Sequence, residues 1–312
     1  MQKIERVAAV LEGGVPDRPP VSLWYHHGLQ HASGEGLARV VIGYFDHYQL
    51  DWLKVMNDYR YPLPAGLEGL SSPDQLAELQ PLEIDATEWR QQLDALALIA
   101  QHIAGSAFFV DTLFDPWTTL RRLCGQHLDA LRRTEPRAVH SALEVITSNL
   151  ITYAKRSLAC GSAGIFLSIP ADTNLLGQEE FRVFVRPYDL ELLNAVADAD
   201  MNIAHVHGAP VHFADVLDYP VAAFNWHDRS GDTPSLADIK SRTGRCVMGG
   251  IDHLLIGQQT LSSWRDHVRE GLVAGGNSFF LAGGCSIPSE TDPAYIHATL
   301  ELSAAAQRGS SA

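Results

Sequence analysis

Asn202-Ile203-Ala204-His205-Val206-His207, halted by Gly208, is a short apolar run interrupted by two histidines. Its length, its Ile and Val, and the glycine that ends it read as a β-strand. Side chains alternate along a strand, so His205 and His207 emerge on one face. Helical pattern fills about 178–200 before this run and 235–242 after it, the second helix behind a Ser235 N-cap. A strand set between helices is the unit of a parallel sheet.

The same unit recurs outward in both directions. Residues 21–25, 51–56, 107–111 and 164–169 read as strands one to four, and 222–227, 246–252 and 278–282 as strands six to eight. Apolar residues at helical spacing place further helices at 2–13, 37–48, 86–103, 115–124, 137–159, 260–273 and from 292 onward. The tail Gly309-Ser310-Ser311-Ala312 is expected to fray. Eight strand–helix units in 312 residues predict an α/β fold, a single (β/α)8 TIM barrel spanning 1–312 as one domain.

Composition limits the function. At 46% hydrophobic the chain has ample material for a large core. A net charge of -14 argues against nucleic acid or an anionic membrane as partner. No apolar run reaches the ~18 residues that span a bilayer. The opening Met1-Gln2-Lys3-Ile4-Glu5-Arg6 lacks the apolar core of a signal peptide. Cys124, Cys160, Cys246 and Cys285 show no paired spacing, which points to a reducing, cytoplasmic compartment.

In such a barrel the active site lies at the C-terminal ends of the strands. His26, His27, Asp58, Asp172, Asn174, Asn225, His227, Asp252, His253 and Cys285 gather there with His205 and His207. Cys285 sits between Gly283-Gly284 and Pro288, in a turn, whereas the other three cysteines fall in helices or at a strand start and read as structural. His205, His207 and Cys285 together make a His2Cys set, which suits one zinc with a coordination position left open. Asp58 is either a solvated loop acid or a group that positions substrate or moves a proton; it is the candidate catalytic residue. Trp24 and Trp226 either wall a cavity for a flat ligand or pack beneath the loops. Trp24, His27, Asn225 and Asp252 are the candidate substrate-binding residues.

Nearly the full length resembles a known family. The resemblance runs through Arg6-Val7-Ala8-Ala9-Val10-Leu11-Glu12-Gly13, Asp17-Arg18-Pro19-Pro20-Val21, Asp51-Trp52-Leu53-Lys54, Phe114-Asp115-Pro116-Trp117-Thr118, and 181–188 with Pro187. It is most specific in His205-Val206-His207-Gly208, Met248-Gly249-Gly250-Ile251-Asp252 and Gly284-Cys285-Ser286-Ile287-Pro288. These segments resemble the uroporphyrinogen decarboxylase superfamily, which also holds the zinc methyltransferases that serve corrinoid proteins. The family fold is a (β/α)8 barrel.

The chain resembles the methyltransferase branch more closely. True decarboxylases carry an arginine-rich stretch after the first strand, and here Trp24-Tyr25-His26-His27-Gly28 stands there, with no arginine until Arg39. Many carboxylates need guanidinium forks. The methyltransferase zinc motif is His-x-Cys-Gly with a later Cys after strand eight. His205 and Cys285 match it, and His207 replaces the middle Cys. A His2Cys site carries less negative charge, so its zinc would be a stronger Lewis acid.

The resemblance implies zinc, one per chain, on His205, His207 and Cys285, binding an acceptor thiol and lowering its pKa. The methyl group comes from a corrinoid protein as partner, and the acceptor is a small thiol or a folate. Asp58 positions the acceptor, and the position also matches the Asp that decarboxylases set against pyrrole nitrogens. Relatives are often homodimers. Two other readings stay open: a metal-independent decarboxylase acting on a smaller acid, and a non-catalytic barrel that binds a tetrapyrrole or corrinoid.

Overall fold

A computed structural model describes residues 1–306; the tail Gly309-Ser310-Ser311-Ala312 lies outside them. Among the described residues eight parallel strands run in the order β1-β8-β7-β6-β5-β4-β3-β2. They are β1 (Val21–Ser22), β2 (Trp52–Val55), β3 (Phe108–Phe114), β4 (Ile165–Pro170), β5 (Ile203–His207), β6 (Ala223–Trp226), β7 (Cys246–Ile251) and β8 (Phe280–Gly283). The protein is a single α/β TIM barrel, as the strand count predicts.

The helices are α1 (Lys3–Leu11), α2 (Gly34–Tyr48), α3 (Pro73–Leu76), α4 (Trp89–Ile103), α5 (Pro116–Cys124), α6 (Leu128–Thr134), α7 (Pro136–Ala159), α8 (Gln178–Phe184), α9 (Arg186–Ala195), α10 (Leu236–Thr243), α11 (Leu261–Gly275) and α12 (Pro293–Ala306). Ser235 caps α10 by accepting from Asp238 N–H at 3.2 Å.

Three departures from the sequence reading have local causes. The helix expected over 178–200 is two, α8 and α9, because Pro187 in the first turn of α9 cannot donate to the preceding turn. The first strand stops at Ser22 because the Trp24 carbonyl turns to accept from Ile287 N–H, 2.9 Å, in the loop after β8. The short α6 lay in a stretch with no helix assigned; its Leu128 and Leu131 are buried against the larger core.

Period-two alternation sorts each strand. Trp52, Met56, Val110, Phe166, Ile203, Ala223, Met248 and Phe280 fill the barrel interior, joined by Val7 and Val10 of α1. Leu53, Val55, Ile165, Leu167, Ala204, Val206 and Phe224 face the helix layer. Each fully buried large side chain contributes roughly 1.5–3 kcal/mol through the area it removes from water.

Between β1 and β2 there is no strand ladder. Asp51 closes that seam instead. Its N–H donates to the Val21 carbonyl at 3.0 Å. Its carboxylate accepts from Val21 N–H at 2.8 Å and from the guanidiniums of Arg6 and Arg18. No helix of the described residues is long and apolar enough to cross a membrane.

Candidate metal centre

His205 and His207 leave β5 on the inner face, and the turn after β8 brings Cys285 to meet them. The ligand atoms of the three lie within 4.8 Å of one another. Cys285 Sγ stands 3.8 Å from His207 Nδ1. Two glycines make the approach. Gly208 has φ +119°, and a Cβ there would stand 2.4 Å from Asp172 Cβ. A Cβ on Gly284 would stand 2.6 Å from His227 Cα. Bulkier residues would push His207 or Cys285 away from the centre.

Asn225 settles the tautomer of His205. The Asn225 amide donates to the carbonyls of Met248 and Gly283 at 3.2 and 3.0 Å, so its oxygen faces His205 Nδ1 at 2.7 Å. Nδ1 therefore carries the proton and Nε2 keeps its lone pair. Burial, helped by the charge of Lys54, pulls the His205 pKa down to about 4, which keeps the ring neutral. Burial pushes the Cys285 thiol up, but His207, the Ser286 backbone and Lys54 outweigh it, and the net shift is downward. A neutral His205 and a thiol shifted toward its thiolate both move in the direction that favours metal binding. The donor set, two imidazoles and a thiol, fits zinc.

Lys54 is the residue that sequence reasoning missed. It sits on β2 between Trp52 and Met56, facing inward, and is only 5% exposed. Its Nζ lies 2.7 Å from Met56 Sδ and over the rings of Phe166 (4.4 Å) and Trp24 (5.4 Å). Among the described residues it has no carboxylate within ion-pair distance. Burial drives its pKa down to about 7 against the pull of Cys285, Asp58 and Asp111. The alternation Trp52, Lys54, Met56 was the available signal.

These groups line a cavity of about 460 Å³ with Trp24, His26, Phe166, His205, His207 and Cys285. It adjoins a larger one of about 1480 Å³, which holds Asp58 and shares His26, Thr112, Phe114 and Arg122 with it. Asp58 accepts from His26 Nδ1 at 2.6 Å. Burial raises the Asp58 pKa, but His26, Lys54 and His27 outweigh it and the net is downward, so the acid is ionised.

The other candidates are distributed differently. Trp24 walls the smaller cavity. Trp226 faces the helix layer, where its Nε1 donates to the Pro234 carbonyl at 2.9 Å, so it packs beneath the loops. His27 packs tilted against Tyr25 and edge to face against Tyr44, ring centroids 4.7 and 5.7 Å away, and lines neither cavity. Asn225 is fully buried behind His205. Asp252 is bonded to His227 at 3.1 Å, behind the Cys285 turn.

Comparison with known proteins agrees with this architecture. The family model described as uroporphyrinogen decarboxylase (URO-D) matches residues 59–305. A methyltransferase from Methanosarcina mazei has the same fold, with TM-score 0.81 and 16% identity over 98% of this chain and 99% of that one. A B12-independent methionine synthase from Shewanella sp. W3-18-1, solved with selenomethionine, superposes with TM-score 0.61 and 12% identity over 94% of each chain. No curated protein matches the sequence. The match over most of the chain, on the barrel and rim described above, places this protein in the uroporphyrinogen decarboxylase family.

Proposed function

We propose that the protein is a zinc-dependent methyltransferase that moves a methyl group from a methylcorrinoid protein to a small thiol, or to a folate. The observation that carries this reading is the convergence of His205, His207 and Cys285 at the mouth of the barrel, open to a cavity. When bound there, zinc supplies Lewis acidity that holds an acceptor thiol as thiolate at neutral pH.

The side chains do the rest. Asn225 fixes the His205 ring so that Nε2 points toward the shared centre. Trp24 and Phe166 exclude water from one wall. Lys54 places a cation where a thiolate and any acid group of the acceptor would lie. Ionised Asp58 in the larger cavity is braced by His26, which lines both cavities, and so is placed to orient the acceptor. The larger cavity, about 1480 Å³, is the space into which a partner would offer the methyl donor. A methyltransferase and a methionine synthase share the fold. The second is B12-independent by name, so the fold does not by itself choose the donor.

The test is metal content and turnover together. Wild-type protein should hold a zinc that Cys285→Ser loses, and with it the methylation of thiols by methylcob(III)alamin. Full methylation after chelation would sink the zinc reading; no methylation, with metal-free decarboxylation of a small acid, would favour the decarboxylase.

A further inference from the structure

A second group of ligands lies behind the Cys285 turn. His227 follows β6, and Asp252 and His253 follow β7; one ligand atom from each falls within 4.8 Å of the others. We propose that His227, Asp252 and His253 form a second binding site, for a borderline divalent transition metal. The inference is independent of the methyltransferase reading.

Geometry carries the argument. His227 Nε2 and Asp252 Oδ1 are 3.1 Å apart. Two donors at that separation, each about 2.1 Å from one ion, subtend about 95°. The rings of His227 and His253 meet edge to face with centroids 4.6 Å apart. His253 Nδ1 is buried and has no hydrogen-bond partner. A buried nitrogen without a partner calls for an explanation, and beside His227 and Asp252 a bound ion supplies one. Asp228, next in the chain after His227, accepts from Gly250 N–H at 3.0 Å and so ties the His227 loop to β7.

The protonation states suit a metal. Burial, reinforced by His227, lowers the His253 pKa to about 4, so the ring is neutral. Burial raises the Asp252 pKa, but His227 and the Leu254 N–H outweigh it and bring it to about 2, so the carboxylate is ionised. Two imidazoles with one carboxylate select zinc, iron, cobalt or manganese over magnesium and calcium. Binding requires the His227 proton to move from Nε2 to Nδ1 or to leave. Because Gly284 packs on the His227 backbone, an ion here would brace the turn that presents Cys285.

The experiment is a cobalt(II) titration of chelator-stripped protein, followed by absorbance and by equilibrium dialysis. Wild type should take two equivalents, only one of which develops a thiolate-to-cobalt charge-transfer band. Cys285→Ser should lose that band and keep one equivalent. His253→Gln and Asp252→Asn should each lose one equivalent and keep the band. A wild type that saturates at one equivalent with the band, or a Cys285→Ser protein that binds none, overturns the second site. One equivalent without the band, abolished by His253→Gln, would uphold it while removing the first.

Discussion

The two mouths of the barrel treat charge in opposite ways. At the N-terminal mouth Arg6 forms a two-pronged pair with Asp17 and a third bond to buried Asp51. Arg18 meets the same Asp51 at 2.6 and 2.9 Å. Both of these guanidiniums face a carboxylate. At the C-terminal mouth the buried Lys54 leans on a thioether and two aromatic faces, and a buried His253 nitrogen has no partner. Paired charge at one end holds the fold together. At the other end, beside the His26–Asp58 and His227–Asp252 pairs, the buried Lys54 amine has no carboxylate partner, and buried titratable groups of that kind mark a candidate site.

The largest effect should come from breaking the closed end. Arg6→Ala leaves Asp51, fully buried, with one partner fewer across the β1–β2 seam. Removing one member of a buried pair costs roughly 3–5 kcal/mol when the other charge is left uncompensated, an upper bound here because Arg18 still meets Asp51. Denaturant unfolding should show a loss of that order. A loss under about 1 kcal/mol would mean that Arg18 and the Val21 N–H satisfy Asp51 without Arg6.

The open end should respond with the opposite sign. In metal-free protein, Lys54→Met should raise stability by roughly 1–4 kcal/mol, because an apolar side chain replaces an unpaired buried amine. Methyl transfer should fall at the same time, a trade of activity against stability. Destabilisation by Lys54→Met would show that the amine is satisfied in the native state, and the contrast between the mouths would fail.

How much of this was legible in the sequence depends on which side of a strand is asked about. The barrel was readable, because eight apolar runs alternate with helical pattern. The convergence of His205 with His207 was readable from their spacing of two. Lys54 was not singled out, because a lone charge in a strand reads as solvent-facing until the barrel closes around it. The two tryptophans looked alike in sequence; alternation puts Trp226 outside β6, while Trp24, beyond the end of β1, turns into the cavity. Asn225 was expected to touch substrate, yet its three bonds tie His205 to β7 and β8, contacts that only the closed sheet creates.

That places Asn225 between the two behaviours, a satisfied polar group serving an open site. Asn225→Ala should weaken zinc binding about 10–100-fold, as losses behind a metal-bound histidine do. Asn225→Asp, which keeps an acceptor for Nδ1, should retain most of the affinity. Competition with a chromogenic chelator reads both. Equal affinity in all three proteins would remove Asn225 from the site.

The smallest effect lies at the edge of the closed network. Hydrogen bonding from Arg6 holds the Asp17 carboxyl well below the usual carboxylate range. Its folded pKa is below the ~3.9 of an unfolded aspartate, so its contribution is complete above about pH 4 and fades as pH falls further. The Asp17 side chain is 15% exposed, and solvent screening keeps the term near 1 kcal/mol or less. Thermal unfolding between pH 5 and about pH 2 should therefore fall less steeply in Asp17→Asn than in wild type. Identical slopes would place all of the acid sensitivity elsewhere. The closed mouth would then owe its strength to Asp51, whose carboxylate no solvent reaches.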